Sequence, residues 1–286
     1  MRAVIVNEFG PVDSHSLEEL ASPVPGPGEV LIDVHAIGVN FPDTLMVQGM
    51  YQTKPERPFT PGRDVAGFVA AIGEGVSQVK PGDRVSALVT IGAYAEQCIA
   101  PESRCFSLPD EVDFVTAAGM TTVYLTAWVA LMARGRYQPG DKVLVLGASG
   151  GVGLSAVQIA KAKGAFVIGG DITEEKRAVV SAAGADAVID LSGDDLKETL
   201  RAQVFAVTDG YGVDVVIDPV GGVVFESALR ALAFDGRIVA VGFVAGIPST
   251  RANYFNVKNL TLAGLALDLH FRHKPEVIQE AAADLF

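Results

Sequence analysis

Cysteine, histidine and basic residues are all scarce in this chain, and each scarcity closes off a class of function. Cys98 and Cys105 are its two cysteines. Two in 286 residues cannot form a disulfide framework, and their spacing fits no zinc pattern, so they read as inert thiols of a reducing cytoplasm. The four histidines, His15, His35, His270 and His273, are dispersed. His270 and His273 have the spacing of a pair but no further ligands nearby, which makes a surface pair and not a metal site. Lysine and arginine number 22 against 34 acids, a net charge of −12. A nucleic acid or an anionic membrane surface needs a basic stripe, and none is present. The opening MRAVIVNEFG lacks a charged segment leading into an apolar core, so no signal peptide is expected and the location is expected to be cytoplasmic. The longest apolar stretch, residues 119–133, is short and carries threonines, so it reads as a buried helix and not a membrane span.

What remains is a chain with 49% apolar and 20% charged residues, long enough for two domains with separate cores. Residues 1 to about 115 read as short strands between glycine and proline turns. Residues 30–36 alternate in the period-two manner of a half-exposed strand, 40–49 read as a short helix, and 64–72, 84–89 and 93–99 as further strands. Many short strands with such turns imply a barrel-like β domain. From residue 141 onward strands and helices alternate: helices over 173–183, 194–207 and 223–234, strands over 187–190, 213–218, 237–242 and 259–265. That texture implies a doubly wound parallel sheet.

The most informative stretch is 142–171, KVLVLGASGGVGLSAVQIAKAKGAFVIGGD. An apolar strand runs into a glycine-rich turn, then a helix that should stop at Gly164, then a second strand ending at Asp171. This is a βαβ unit with a dinucleotide-binding turn. A pyrophosphate must approach the backbone where a helix begins, and a side chain at Gly150 would block it. Gly153 lets the helix lie close to the strand. Ala148 stands where the G-x-G-x-x-G fingerprint has its first glycine. Asp171 lies about 20 residues past Gly150, where an acid can accept the ribose hydroxyls of NAD and repel the extra phosphate of NADP. Lys176 and Arg177 lie just beyond and suit a 2′-phosphate instead.

Taken together, PGPGEVLIDVHAIGVNFPDTLMVQGMY (25–51), FTPGRDVAGFVAAIGEGVSQVKPGDRV (59–85), YLTAW (124–128), the stretch 138–165, GVDVVIDPVGG (212–222) and VGF (241–243) resemble the medium-chain dehydrogenase/reductase superfamily. The closest likeness is to its zinc-independent NAD(P)H:quinone oxidoreductase branch. The resemblance implies an α/β protein: a GroES-like β-barrel domain over 1–122, then a Rossmann domain with a doubly wound parallel sheet over 123–286, the nicotinamide lying between them. It implies a cofactor set of Thr126, Ser149, Gly150, Gly151, Val152, Gly153, Asp171, Lys176, Val220, Gly242 and Phe243. The cofactor is then NAD(P)H, with Asp171 tilting the choice to NADH and the family to NADPH.

The zinc-dependent relatives carry cysteine where this chain has residues 40–43, a Gly-His-Glu where it has Gly62-Arg63-Asp64, and a second cysteine near Thr122. The expectation is therefore hydride transfer to an acceptor that needs no metal, a quinone or an enone. Asn40 and Tyr51 are the candidates for hydrogen bonds near the carbonyl, with proton delivery from Tyr51 or water. Asn40 also suits a plain helix cap, Tyr51 an ordinary loop aromatic, and Asp43 a structural role. An enoyl-thioester reductase, helped by Arg63, Arg104 and Arg251, is the alternative enzyme. A non-catalytic nucleotide-binding relative is the alternative of another class. Family members dimerise through the apolar edge strand near 259–265, so a homodimer is expected. They also continue beyond a helix like 274–285 to complete the β domain. A chain ending at Phe286 is thus expected to be part of a longer one or to lack part of that domain.

Overall fold

A computed structural model describes residues 1–286. The chain forms two compact units, Met1–Thr122 with Ala282–Phe286, and Val123–Ala281. The last five residues thus belong with the first unit, not with the second as the sequence suggested. Phe286 stacks on Phe106 with ring centroids 5.7 Å apart, which accounts for their place.

The first unit contains β1 (Arg2–Ile5), β2 (Ser16–Glu19), β3 (Glu29–Gly38), helix α1 (Phe41–Val47), β4 (Asp64–Ile72), β5 (Arg84–Leu88), β6 (Gln97–Pro101) and β7 (Cys105–Ser107). Five strands form an antiparallel sheet in the order β6-β3-β4-β5-β7, and β1 pairs only with β2. Two isolated bridges, Ala3 to Ala95 and Val6 to Phe59, join the β1 segment to the chain around the sheet. The strand expected over 93–99 begins only at Gln97, because Ala95 is taken by the bridge to Ala3. Register shifts in β3 bend the sheet over its core of Val30, Ile32, Val65, Val85 and Ala87, all fully buried.

Helix α2 (Phe114–Trp128) leads into the second unit and continues as a π-helical stretch, Val129–Arg134. The two together run 21 residues at a mean hydropathy of 1.5, long and apolar enough to cross a membrane. The argument from length therefore fails, and burial identifies the helix: Leu125 and Ala127 to Leu131 are each at most 4% exposed.

The second unit then alternates β8 (Lys142–Leu146), α3 (Gly151–Ala162), β9 (Phe166–Asp171), α4 (Glu174–Ala182), β10 (Ala187–Asp190), α5 (Leu196–Val207), β11 (Val213–Asp218), α6 (Gly222–Ala228), β12 (Leu232–Ala240), α7 (Asn253–Lys258), β13 (Thr261–Gly264), α8 (Leu267–His273) and α9 (Pro275–Leu285). Six parallel strands lie in the order β10-β9-β8-β11-β12-β13. Strand order reverses between β8 and β11, the point where open parallel sheets receive ligands at their carboxyl ends. Leu144, Leu146, Ile168, Ile189, Val216, Phe225 and Ile238 form the centre of its core, each at most 1% exposed. Side chains buried this fully contribute about 1.5–3 kcal/mol apiece.

The boundaries around β12 differ from the sequence reading. The helix expected over 223–234 stops at Ala228, and β12 starts at Leu232, five residues early. The amide of Val213 donates to the Ala231 carbonyl at 3.1 Å, which pulls these apolar residues into the sheet. A turn at Asp235, with φ of 61°, then shifts the pairing along to Arg237. Helix α7 and the short strands β2 and β7 were not anticipated.

Candidate active site

In the second unit the site is built where β8 ends and α3 begins. Val143 to Leu146 are fully buried, so the strand end is fixed from both faces. A Cβ added to Gly153 would lie 2.3 Å from the Gly147 carbonyl oxygen and 2.8 Å from the Ala148 Cα. The fold itself thus demands glycine there. A Cβ added to Gly150 meets nothing nearer than the same oxygen at 3.4 Å, an ordinary contact. Gly150 is exposed at the N-cap of α3 with an unstrained φ of −73°. Bare backbone at that helix start is therefore not required for packing. It is the open cradle that a pyrophosphate needs, so the residues fit a dinucleotide. Ala148, the departure from the fingerprint, is fully buried and its methyl packs toward Gly169.

Asp171 ends β9 beside this turn. Its side chain is 6% exposed, its Oδ2 accepts the Ser149 N–H at 3.0 Å, and its Oδ1 accepts the Ile172 N–H at 2.8 Å. Ser149 thus gives its amide to Asp171. Burial alone would raise the Asp171 carboxyl. The Ser149 and Ile172 hydrogen bonds and the Lys176 ammonium 3.9 Å away outweigh it and hold the group below its usual range. Each oxygen keeps one lone-pair direction for a ribose hydroxyl. Arg177 turns elsewhere: its guanidinium donates to the Asp171 carbonyl and pairs with Asp190 at 2.9 Å.

The other cofactor candidates of this unit lie on the same carboxyl edge. Val220 sits in the turn after β11, and its Cγ2 occupies the space beside Gly147. The Ala245 amide donates to the Val220 carbonyl at 2.8 Å, and the Gly222 amide to that of Gly246 at 2.8 Å. These bonds clip the Val220 turn to the segment holding Gly242 and the half-exposed Phe243. On α2, Val123 approaches Gly151, the Tyr124 hydroxyl contacts the Gln158 side chain, and Thr126 is buried one turn on. Val152 lies in the first turn of α3.

Asp218 was missed as an individual residue. It closes β11, fully buried, and its carboxylate accepts the Val220 and Gly221 amides at 2.8 to 3.1 Å. It holds the Val220 turn in place. Burial pushes it up to about 6, against the pull of those two amides.

In the first unit, Asn40 caps α1. Its amide nitrogen Nδ2 donates to Asp64 Oδ2 at 2.8 Å, and its backbone N–H donates to Asp43 Oδ2 at 2.9 Å. The Thr122 hydroxyl donates to Asp64 Oδ1 at 2.6 Å, and the Tyr94 hydroxyl to Asp43 Oδ2 at 2.9 Å. Asp43 and Asp64 are 2% and 1% exposed, and Asp43 Oδ1 is buried without a partner. Burial raises both acids, Asp64 to about 6. The Asn40 and hydroxyl bonds and the buried Arg63 guanidinium pull the other way. Asn40, Asp43, Arg63, Asp64, Tyr94 and Thr122 thus form one buried polar network. The sequence had picked out only Asn40 among them as a site residue.

Tyr51 does not join the network. It follows α1, its ring packs on Val6, Met46, Val47 and Phe59, and its hydroxyl has no protein partner. No group of three or more His, Cys, Asp or Glu has metal-holding geometry. Cys98 and Cys105 lie in β6 and β7, pushed up to about 12 by burial.

Two family models match the chain: an alcohol dehydrogenase GroES-like domain over residues 26–110 and a zinc-binding dehydrogenase domain over 151–286. A quinone oxidoreductase-like protein 2 homolog of Nematostella vectensis is 38% identical over 98% of this chain and 76% of its own length. A mycobacterial quinone oxidoreductase structure superposes with a TM-score of 0.91 at 37% identity, covering 100% of this chain and 87% of its own. The Escherichia coli quinone oxidoreductase, solved with NADPH, gives 0.88 at 30% identity over 100% and 86%.

The two glycines separate packing from ligand binding. Gly150→Ala is expected to cost at most about 1 kcal/mol of stability but to weaken NAD(P)H binding at least about tenfold. Gly153→Ala is expected to lower stability itself by about 1–3 kcal/mol. Equal nucleotide affinity in Gly150→Ala, by fluorescence titration, would contradict the cradle. Asp218 supplies a pH test. Its folded pKa lies above its unfolded value of 3.8, so the stability it contributes is complete below that value and is lost as pH rises toward about 6. Asp218→Asn is expected to remove on the order of 3 kcal/mol of pH dependence from urea unfolding across this window. An unchanged slope would refute the assignment.

Proposed function

Because the chain belongs to the zinc-independent quinone oxidoreductase branch of the medium-chain dehydrogenase/reductase superfamily, we propose that this NAD(P)H-dependent oxidoreductase reduces a quinone or a similarly activated carbonyl acceptor. When bound, the reduced nicotinamide supplies the hydride. Gly150, Gly151 and Val152 take the pyrophosphate at the start of α3, Asp171 and Lys176 meet the adenosine ribose, and Thr126, Val220, Gly242 and Phe243 enclose the nicotinamide end. Hydride addition leaves negative charge on the acceptor oxygen. Asn40 donates to that oxygen through the N–H it does not give to Asp64, and Tyr51 or water supplies the proton.

The observation that carries the acceptor class is the composition of the network around Asn40. It offers an amide, two hydroxyls, a guanidinium and two carboxylates, three of whose four oxygens accept from these donors. A catalytic zinc site needs cysteine, histidine and carboxylate ligands turned to one open point, and this donor set does not fit one. Without a Lewis acid to polarise it, the acceptor has to be electrophilic on its own account, as quinones and enones are.

Asp171, held in its charged form, disfavours a 2′-phosphate, and Lys176 lessens that bias without removing it. Both dinucleotides are accordingly used, NADH with the higher kcat/KM. The oligomer is a homodimer through β13, the last strand of the sheet, whose Leu262 is 48% exposed.

Oxidation of NADH and NADPH is to be followed with 1,4-benzoquinone, 9,10-phenanthrenequinone, a simple enone and a crotonyl thioester, and NAD reduction with a primary alcohol. Quinone turnover, faster with NADH, is expected. Faster turnover of the thioester would favour the enoyl reductase, and alcohol oxidation would contradict the metal-free reading. Light scattering is expected to give twice the chain mass, and a monomer would remove the β13 interface.

A further inference from the structure

An asparagine beside a reacting carbonyl is ambiguous, because its side-chain oxygen and nitrogen have nearly the same shape and opposite hydrogen-bonding character. Something else must decide which end faces the acceptor. Here Asp64 lies against one end. It opens β4, pairs across to Gly38 of β3, and is 1% exposed. A Cβ on Gly38 would lie 2.8 Å from the Asp64 Cβ and 2.4 Å from the Ala118 carbonyl oxygen, so the space around the acid is closed by backbone. Its Oδ2 takes the Asn40 Nδ2 at 2.8 Å and its Oδ1 takes the Thr122 hydroxyl at 2.6 Å. A carboxylate only accepts, so it tolerates the nitrogen end of the amide and rejects the oxygen end.

We propose that Asp64 is a positioning residue, held by Thr122, that locks the Asn40 amide in one of its two orientations and so keeps its second N–H available to the acceptor oxygen. This rests on the reading of Asn40 as the group that touches the acceptor. The capping box at the start of α1, where the Asn40 side chain meets the Asp43 backbone N–H, favours the same orientation of the amide. Tyr94 donates to Asp43, which accepts the backbone N–H of Asn40 at 2.9 Å.

The lock works only while Asp64 is charged. A protonated carboxyl both donates and accepts, so it tolerates either end of the Asn40 amide and no longer fixes its orientation. The charged groups acting on Asp64 are Asp43 of α1, which raises it, and Arg63 before β4, which lowers it. Burial is the larger effect and brings it up to about 6. Turnover is therefore expected to fall as pH drops through about 6, with the slope of one proton. Asp218 titrates in the same range, so the wild-type profile alone does not assign the group.

Four variants do so, read as kcat against pH with NADH and 1,4-benzoquinone, alongside NADH affinity and unfolding midpoint. Asp64→Asn is expected to lower kcat about tenfold at pH 7.5, to leave NADH affinity within about twofold, and to erase the acidic limb. Thr122→Val removes a bond that favours the charged acid, so its limb is expected to move to higher pH. The double variant Asn40→Ala with Asp64→Asn is expected to lose no more than Asn40→Ala alone, because Asp64 acts only through Asn40.

A limb that stays in Asp64→Asn, a Thr122→Val profile that does not move, or an Asp64→Asn loss that persists undiminished in the Asn40→Ala background would each overturn the proposal. Should Asp64→Asn fail to fold, the Thr122→Val shift decides. If Asn40→Ala leaves kcat unchanged, the reading of Asn40 itself falls. If Asn40→Ala lowers kcat and Asp64→Asn does not, only the positioning role falls.

Discussion

The contact on which the second unit depends is the one between the first turn of α3 and the end of β8. The Gly147 carbonyl oxygen lies where a Cβ of residue 153 would be, so the helix starts directly on the strand with no side chain between. That close start aims the first free N–H groups of α3 along the carboxyl edge of the sheet. The reversal of strand order between β8 and β11 opens the edge at this same place. The turn after β9, held by Asp171, and the turn after β11, held by Asp218, then complete the surround. Two buried carboxylates thus hold two loops by accepting their backbone N–H groups. Their energetics differ: the donors around Asp171 outweigh its burial, and those around Asp218 do not. Asp171 is charged across the neutral range at no net penalty, whereas Asp218 carries its charge at a cost to stability.

The first unit carries the same kind of cost in a more concentrated form. Asp43 and Asp64 are both nearly inaccessible, both raised, and served by one buried arginine. An apolar replacement would relieve a folded interior of these charges, since buried ion pairs rarely stabilise better than well-packed hydrophobic groups. The network surrounds Asn40, the side chain proposed to meet the acceptor carbonyl. Its geometry follows from β3 and β4 pairing Gly38 with Asp64, and from the start of α1 two residues after β3.

Sequence reading succeeded where information is local. The strand–turn–helix of 142–171 was legible because apolar run, glycine turn and helical spacing lie side by side. The parallel sheet followed from alternation. Local pattern misled at 223–234, where apolar residues of helical spacing end in a strand because Val213 bonds back to Ala231. The length of the apolar helix was underestimated because it begins at Phe114, five residues before the apolar stretch read from the sequence. The polar network was illegible for a different reason. Asn40 and Asp64 are 24 residues apart, Asp64 and Thr122 are 58 apart, and Asp43 and Tyr94 are 51 apart. No periodicity links them. The one available signal was their location on the segments where zinc-dependent relatives keep ligands, which marked the place without assigning roles. Tyr51 shows the converse, since a position on the right segment did not bring its hydroxyl into the network.

The donor set around Asn40 does not fit a catalytic zinc, so hydride transfer from a reduced nicotinamide to an activated acceptor is proposed to need no metal. The most direct measurement is quinone turnover against metal content, with zinc determined by elemental analysis on protein as purified, after chelation, and after zinc is restored. Turnover is expected to be the same in all three, with metal far below one per chain before restoration. Turnover that falls with the metal and returns with zinc would contradict the claim.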